Sequence, residues 1–273
     1  MTQDEHLCNI INKRPNNMLK HDIPSIITYS KEMHLHCEAW KNAAMGAQYC
    51  VPIKTLNRYL LSDPTISVLD WGCGDGHFSY LLNKKAFMIS SYSFTELGPM
   101  QSILKNLNNT FTFDKSESQH PVKLPYPNEK FDAVFSVGVL EHVREFGGDE
   151  IASLHEINRI LKPGGYCFIF HLPNKYSWNE FLHRVLMRFK LVNKYIHNHL
   201  YSNKEIYELA KITNFSVTEI SLYNVLPRNI FKKLPAGLGN NRLFVSLVSA
   251  IERVCSFLFY YFSQNYCVVL QKN

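Results

Sequence analysis

Val68-Leu69-Asp70-Trp71-Gly72-Cys73-Gly74-Asp75-Gly76-His77-Phe78 runs an apolar strand into an acidic residue and then three glycines at alternate positions. Glycine has no Cβ, so Gly72, Gly74 and Gly76 let the chain turn sharply, take positive φ and bring backbone amides close to a ligand. The following Phe78-Ser79-Tyr80-Leu81-Leu82 reads as the first turns of a helix, whose free N–H groups and positive end face the same crevice. Strand, loop and helix converge on one cradle. NAD-binding chains space their glycines G-x-G-x-x-G; here the spacing is G-x-G-x-G, with Asp70 two residues ahead of the first glycine.

Two later blocks sharpen this reading. In Leu124-Pro125-Tyr126-Pro127-Asn128-Glu129-Lys130-Phe131-Asp132-Ala133-Val134-Phe135-Ser136-Val137-Gly138-Val139-Leu140-Glu141-His142-Val143, the run from Phe131 to Val139 is apolar, rich in β-branched residues and hardly alternating. That is the pattern of a parallel strand covered on both faces, and its C-terminal end carries Val137, Gly138 and His142 to the crevice where open α/β sheets bind ligands. In the third block Ile151, Leu154, Ile157, Ile160 and Leu161 share one helical face, and Pro163-Gly164-Gly165 stops the helix before the apolar strand Tyr166 to His171.

Together the three blocks resemble class I S-adenosylmethionine-dependent methyltransferases, in particular the ubiquinone/menaquinone-type branch (methyltransferase type 11) and relatives from bacterial surface-polysaccharide gene sets. The resemblance implies S-adenosyl-L-methionine as cofactor. It places the amino-acid end of that cofactor against Gly72, Cys73, Gly74 and Gly76, with Asp70 behind the loop or on the ammonium group, and adds Val137, Gly138 and His142 as contacts. Such chains also carry an acid at the end of strand two for the ribose hydroxyls. This chain has Ser93 there, with Glu96 three residues on. A missing charge-assisted contact weakens binding by about 1.5–3 kcal/mol. For the adenine amino group the nearest acid is Asp114, with Glu117 and the backbone near Ser118 to His120 as alternatives.

The alternation of segments predicts an α/β, Rossmann-like, doubly wound seven-stranded sheet with an antiparallel edge strand. Residues 1–60 read as an N-terminal helical cap, with helical composition from Ser30 to Tyr49 and a second helix from Pro52 to Leu61. Within it Tyr29 and Trp40 either pack on the sheet or close over the cofactor. Residues 61–273 read as the methyltransferase domain, with insertions at about 174–201 and 225–264. A helix is expected over 97–107. The expected final hairpin is opened by about forty residues containing the apolar stretch Leu243 to Phe262. Glu252-Arg253 in its middle argues against a membrane span, leaving a buried or lid-forming helix or a membrane-surface helix.

The chain has 273 residues, 46% of them hydrophobic and 19% charged, enough for one substantial core, and its formal net charge is +6. Residues 175–273 hold thirteen Lys and Arg against five Glu and no Asp. That bias suits a phosphorylated substrate, an anionic membrane surface or nucleic acid, or simply a solvated surface. The seven cysteines lack C-x-x-C spacing and read as reduced thiols. His34 and His36 are badly spaced for a shared helix face, so no metal site is predicted. No signal-like segment opens the sequence, so the expected location is cytoplasmic, with peripheral contact at the inner face of the membrane left open.

Transfer of an already activated methyl group needs an in-line acceptor and exclusion of water rather than a covalent nucleophile. Neither an N-P-P-Y motif for amines nor paired cysteines for carbon methylation is present. For a hydroxyl acceptor, His171 and His142 are the candidate catalytic residues, as base or positioning group, His142 having cofactor-loop orientation as its other role. The expected acceptor is a small molecule, a hydroxyl of a glycan, lipid-linked or other cell-envelope metabolite. A noncatalytic subunit on this fold and an RNA methyltransferase are the alternatives, although no appended RNA-binding module is visible.

Overall fold

A computed structural model describes residues 22–33, 37–38, 40–95, 100, 103–104, 111–116, 122–192 and 197–273. The first six residues, His34, His36, Glu96, Glu117, the 118–120 stretch and most of the 97–107 helix lie outside the described residues.

Seven strands form one sheet: β1 (Ser67–Trp71), β2 (Met88–Ser93), β3 (Phe111–Lys115), β4 (Phe131–Val137), β5 (Leu161–Pro173), β6 (Phe215–Tyr223) and β7 (Asn265–Lys272). Their order is β3-β2-β1-β4-β5-β7-β6. The first five are mutually parallel, and β7 lies antiparallel between β5 and the edge strand β6. The order turns back between β1 and β4, which opens a crevice at their C-terminal ends.

The pleat sorts side chains to two faces. Val68, Ala133, Phe135, Phe168 and Phe170 point to one core, where Phe135 stacks on Phe168 with ring centroids 4.8 Å apart. Leu69, Val134, Cys167 and Ile169 point to the other, which is closed by α5 (Glu150–Ile160) and α7 (Asn203–Ile212). Each helix starts at a side-chain cap: Asp149 accepts from the Ala152 amide at 2.8 Å, and Ser202 with Glu205 forms a reciprocal capping box.

The N-terminal segment shares the first core. Ile26, Met33 and Trp40 pack there with the sheet residues, alongside α1 (Asp22–Met33), α2 (Ala43–Gly46) and α3 (Cys50–Tyr59). The helical composition of Ser30 to Tyr49 is not realised as one helix. α1 ends at Met33, and α2 starts only after Asn42, whose side chain accepts from the Met45 amide at 3.0 Å. Trp40 is fully buried, donates to Ser30 Oγ at 2.6 Å and stacks on Tyr49, and Tyr29 meets Tyr80 edge-on; both are packing roles. Tyr59 and Arg58 both bind Glu219 of β6, which ties α3 to the far sheet edge.

The long connection between β6 and β7 holds α8 (Arg242–Leu258). Only Val245, Val248 and Ser249 of this helix are buried, so its burial is one-sided rather than all round. Glu252, which interrupts the apolar run, is a structural anchor: it accepts from the amides of Val225 at 2.8 Å and Leu226 at 2.9 Å. Among the described residues no helix is long and apolar enough to cross a membrane.

Candidate active site

The glycine loop takes the backbone shape its composition allows. Gly72, Gly74 and Gly76 have φ of 73°, 51° and 85°. Gly72 and Cys73 donate to the Tyr92 carbonyl at 2.8 and 3.1 Å, which hangs the loop on β2. A Cβ on Gly72 would stand 2.5 Å from Val139 Cγ2, so a side chain there is excluded by both φ and space. Gly76 then opens α4 (His77–Asn83) in the left-handed conformation.

Asp70 sits behind this loop. It is 1% exposed and accepts from Ser79 Oγ at 2.5 Å, and Ser79 in turn meets Ser91 Oγ at 2.7 Å. Burial pushes its carboxyl up to about 6, against the pull of the Ser79 hydrogen bond. The acid therefore braces strand, loop and helix together.

In front of the loop lies a cavity of about 340 Å³ lined by Trp71, Gly72, Gly74, Tyr92, Ser93, Phe94, Thr95, Gly138, Val139, His142, Val143, Glu145 and Phe146. Its walls are mostly glycine backbone and apolar side chains, with Ser93, Thr95, His142 and Glu145 as the polar members, and a second cavity of about 570 Å³ adjoins it across Tyr92. Of the residues expected at the cofactor, the structure brings Gly72, Gly74, Ser93, Gly138 and His142 to the first cavity. Asp70, Cys73, Gly76 and Val137 support it without lining it, and the Cys73 thiol is buried and pushed up by desolvation. Asp114 lines the second cavity, where Tyr126 donates to its Oδ2 at 2.8 Å. The Ser93 hydroxyl is 3.2 Å from Thr95 Oγ1 and takes the Thr95 amide at the same distance. These residues fit an S-adenosylmethionine-sized ligand: a loop of positive-φ glycines whose backbone faces the cavity, a mainly apolar slot, and no carboxylate among the lining side chains except the Glu145 of the 3₁₀ segment Leu140–Phe146.

On the other side of Gly138, whose amide donates to the Phe170 carbonyl at 3.0 Å, lies a second group. His171 occupies a register shift of β5 with φ of 64°, a conformation that costs a non-glycine residue energy and that the surroundings must enforce. Its amide donates to Tyr223 Oη at 2.8 Å, and its Nδ1 lies 3.1 Å from the same oxygen. Its Nε2 is buried without a partner. Tyr49 meets the His171 ring edge-on, and its hydroxyl is 2.6 Å from His77 Nε2, leaving His77 Nδ1 buried and unpartnered. Burial holds both imidazoles neutral, pushing His171 down to about 3, with His77 and His197 assisting, and His77 down to about 4. Glu141, also buried, has an unpartnered Oε2 and is pushed up to about 8.

Reading by motif found His171 and His142 but not Tyr49, His77, Tyr223, Glu141 or His197. His77 and Glu141 stand inside the quoted motifs and were within reach; Tyr49, Tyr223 and His197 come from elements that carry no motif.

The comparisons bear on this geometry. A family described as a methyltransferase domain matches residues 44–220. The chain belongs to that family. Its fold is that of a class I S-adenosylmethionine-dependent methyltransferase. It is 31% identical over 107 residues to a tRNA U34 carboxymethyltransferase of Ruthia magnifica subsp. Calyptogena magnifica, an alignment covering 36% of this chain and 30% of the relative. It is 27% identical over 126 residues to an uncharacterized methyltransferase of Schizosaccharomyces pombe, covering 41% and 43%. The chain thus spans less than half the length of these curated relatives. A solved S-adenosylmethionine-dependent methyltransferase of Methanosarcina mazei shares the fold, with a TM-score of 0.54, 16% identity and coverage of 80% of this chain and 96% of that one.

Proposed function

We propose that the protein transfers the methyl group of S-adenosylmethionine to a hydroxyl oxygen of a lipid-linked or glycan metabolite of the cell envelope. Bound in the glycine-lined cavity, the cofactor supplies a methyl group already activated on a sulfonium. The observation that carries an oxygen acceptor is His171: half-buried, held at its Nδ1 side by Tyr223 and presenting a buried, unpartnered Nε2. In the tautomer that would serve as base, Nδ1–H would donate to the Tyr223 oxygen and Nε2 would be left to take the proton of an acceptor hydroxyl.

The lipid-linked class is supported by the exposed surface of two helices. α8 turns Leu243, Leu247, Ile251, Val254 and Leu258 outward at helical spacing, and α6 (Trp178–Arg188) exposes Phe181 and Leu182. Arg184, Arg188, Lys190, Lys232, Lys233 and Arg242 are exposed on or next to these helices. Apolar residues rimmed by cations suit the surface of an anionic bilayer. The two helices are joined through Val225, whose carbonyl accepts from Trp178 Nε1 at 2.7 Å while its amide binds Glu252.

An RNA acceptor is the second reading, favoured by the tRNA-modifying relative. The test is transfer of labelled methyl from S-adenosylmethionine to extracted envelope lipids and glycans and, separately, to total RNA. Label in the lipid or glycan fraction that disappears in His171→Ala supports the proposal. Label in RNA alone, with steeply salt-dependent RNA binding, overturns it.

A further inference from the structure

Glu141, His142 and His197 place one ligand atom each within 4.8 Å of one another. They come from far apart in the chain: the first two from the segment after β4, the third from the stretch between α6 and α7. Three features distinguish this group from a chance meeting of polar side chains.

The carboxylate is orphaned. Glu141 is 4% exposed, and its Oε2 has no hydrogen-bond partner, although leaving a buried carboxylate oxygen unsatisfied is costly. Both histidines are also oriented from behind. His142 Nδ1 lies 3.1 Å from Glu145 Oε1, and His197 Nδ1 lies 2.7 Å from Glu180 Oε1. A carboxylate on one ring nitrogen fixes the tautomer and leaves the other nitrogen basic, the arrangement found behind metal-bound imidazoles. The supporting carboxylates are themselves held: Asn198 Nδ2 donates to Glu145 Oε1 at 3.2 Å, and Glu180 is 5% exposed at the start of α6. Finally, the two imidazoles face each other with ring centroids 5.6 Å apart.

We propose that Glu141, His142 and His197 bind a first-row divalent transition ion such as Zn²⁺ or Mn²⁺. Two imidazole nitrogens and one carboxylate oxygen are a borderline donor set, which favours such ions over Ca²⁺ or Mg²⁺, both of which prefer oxygen ligands throughout. Three protein ligands leave coordination positions open, and His142 also lines the glycine-loop cavity. The open position takes an oxygen of the acceptor, orienting its hydroxyl toward the cofactor. This last step rests on the methyl-transfer reading; the metal site itself does not.

The experiment uses full-length protein stripped with chelator, titrated calorimetrically with Zn²⁺ and Mn²⁺, and in parallel with S-adenosylhomocysteine. The proposal expects one ion per chain with micromolar or tighter affinity. Binding should be lost, or weakened at least a hundredfold, in Glu141→Gln and His197→Ala, weakened ten- to hundredfold in Glu180→Gln, and unchanged in His155→Ala, an exposed histidine on α5. Each variant is checked by thermal melting and S-adenosylhomocysteine affinity; should Glu141→Gln fail to fold, His197→Ala on its partly exposed side chain carries the same comparison. Binding weaker than millimolar in the wild type, or equal affinity in wild type and His197→Ala, overturns the site. Intact metal binding without S-adenosylhomocysteine binding overturns the methyltransferase reading instead.

Discussion

The two sides of Gly138 are built on different plans. On one side, the cavity in front of the glycine loop is shaped by backbone: three positive-φ glycines, a loop hung on the Tyr92 carbonyl and a braced acid beneath it. On the other side, Tyr49, His77, His171 and Tyr223 are tied by side-chain contacts, and Glu141 and His197 stand nearby, several with buried polar atoms lacking partners. A shared cofactor demands the same backbone in every member of a family, so that side is local and conventional. That second group is assembled from separate elements and keeps unpartnered polar atoms, as the proposed acceptor side would require.

The comparison breaks most sharply at Gly72. Gly72→Val places a branched side chain against Val139 and at forbidden φ, so S-adenosylhomocysteine affinity should fall at least a hundredfold in calorimetry while the fold, checked by circular dichroism, persists. Retained affinity would show that the cavity is not the cofactor site. His171→Ala is the converse. It should leave S-adenosylhomocysteine affinity within about threefold and lower labelled-methyl transfer on the order of 10²-fold. His171→Gln can still donate to an acceptor oxygen but cannot take its proton, so equal activity in Gln and wild type would make His171 a positioning residue rather than a base.

The outer surface gives a smaller effect. Leu247→Glu on exposed α8 should reduce sedimentation with phosphatidylglycerol-containing vesicles about tenfold, with little change in thermal midpoint because the residue is not packed. Unchanged sedimentation would remove the main support for a lipid-linked acceptor.

The smallest expected effect is in the pH dependence of stability. Burial lowers the folded pKa of His77 to about 4, below the ordinary imidazole value, so between about pH 4 and 6.5 the unfolded chain binds a proton that the folded chain refuses. Stability from this group is therefore present above pH 6.5 and is lost as pH falls through that window. Denaturant titrations of wild type and His77→Gln at pH 7 and 4.5 should show the difference between them shift by about 1–2 kcal/mol in favour of the variant at the lower pH. A constant difference would place His77 in contact with solvent.

The loop, the strands on either side of it and α5 could be read from the sequence because the signals are short-range. Gly72, Gly74 and Gly76 announce positive φ, Phe131 to Val137 announces a doubly covered strand, and Pro163-Gly164-Gly165 announces the end of a helix. Two expectations met competing forces. The helix expected through Tyr49 is interrupted because Asn42 caps α2 and also donates to the Phe231 carbonyl at 2.8 Å, a contact 189 residues away. The apolar run after Leu243 left a buried or lid-forming helix and a membrane-surface helix open, and the fold covers only its Val245, Val248 and Ser249 side.

By itself the sequence determined the class of fold, the glycine turn after β1 and the placement of His171 in the C-terminal part of a central strand, since each depends on dihedral preference and hydrophobic period within some ten residues. Only the tertiary structure decided that His171 would take positive φ at a register shift under Tyr223, that His77 would meet Tyr49, and that Glu141 and His142 would meet His197. Those meetings join positions 28 to 56 residues apart through the crossing of separate elements, and no local propensity specifies which side chains a folded chain will bring face to face.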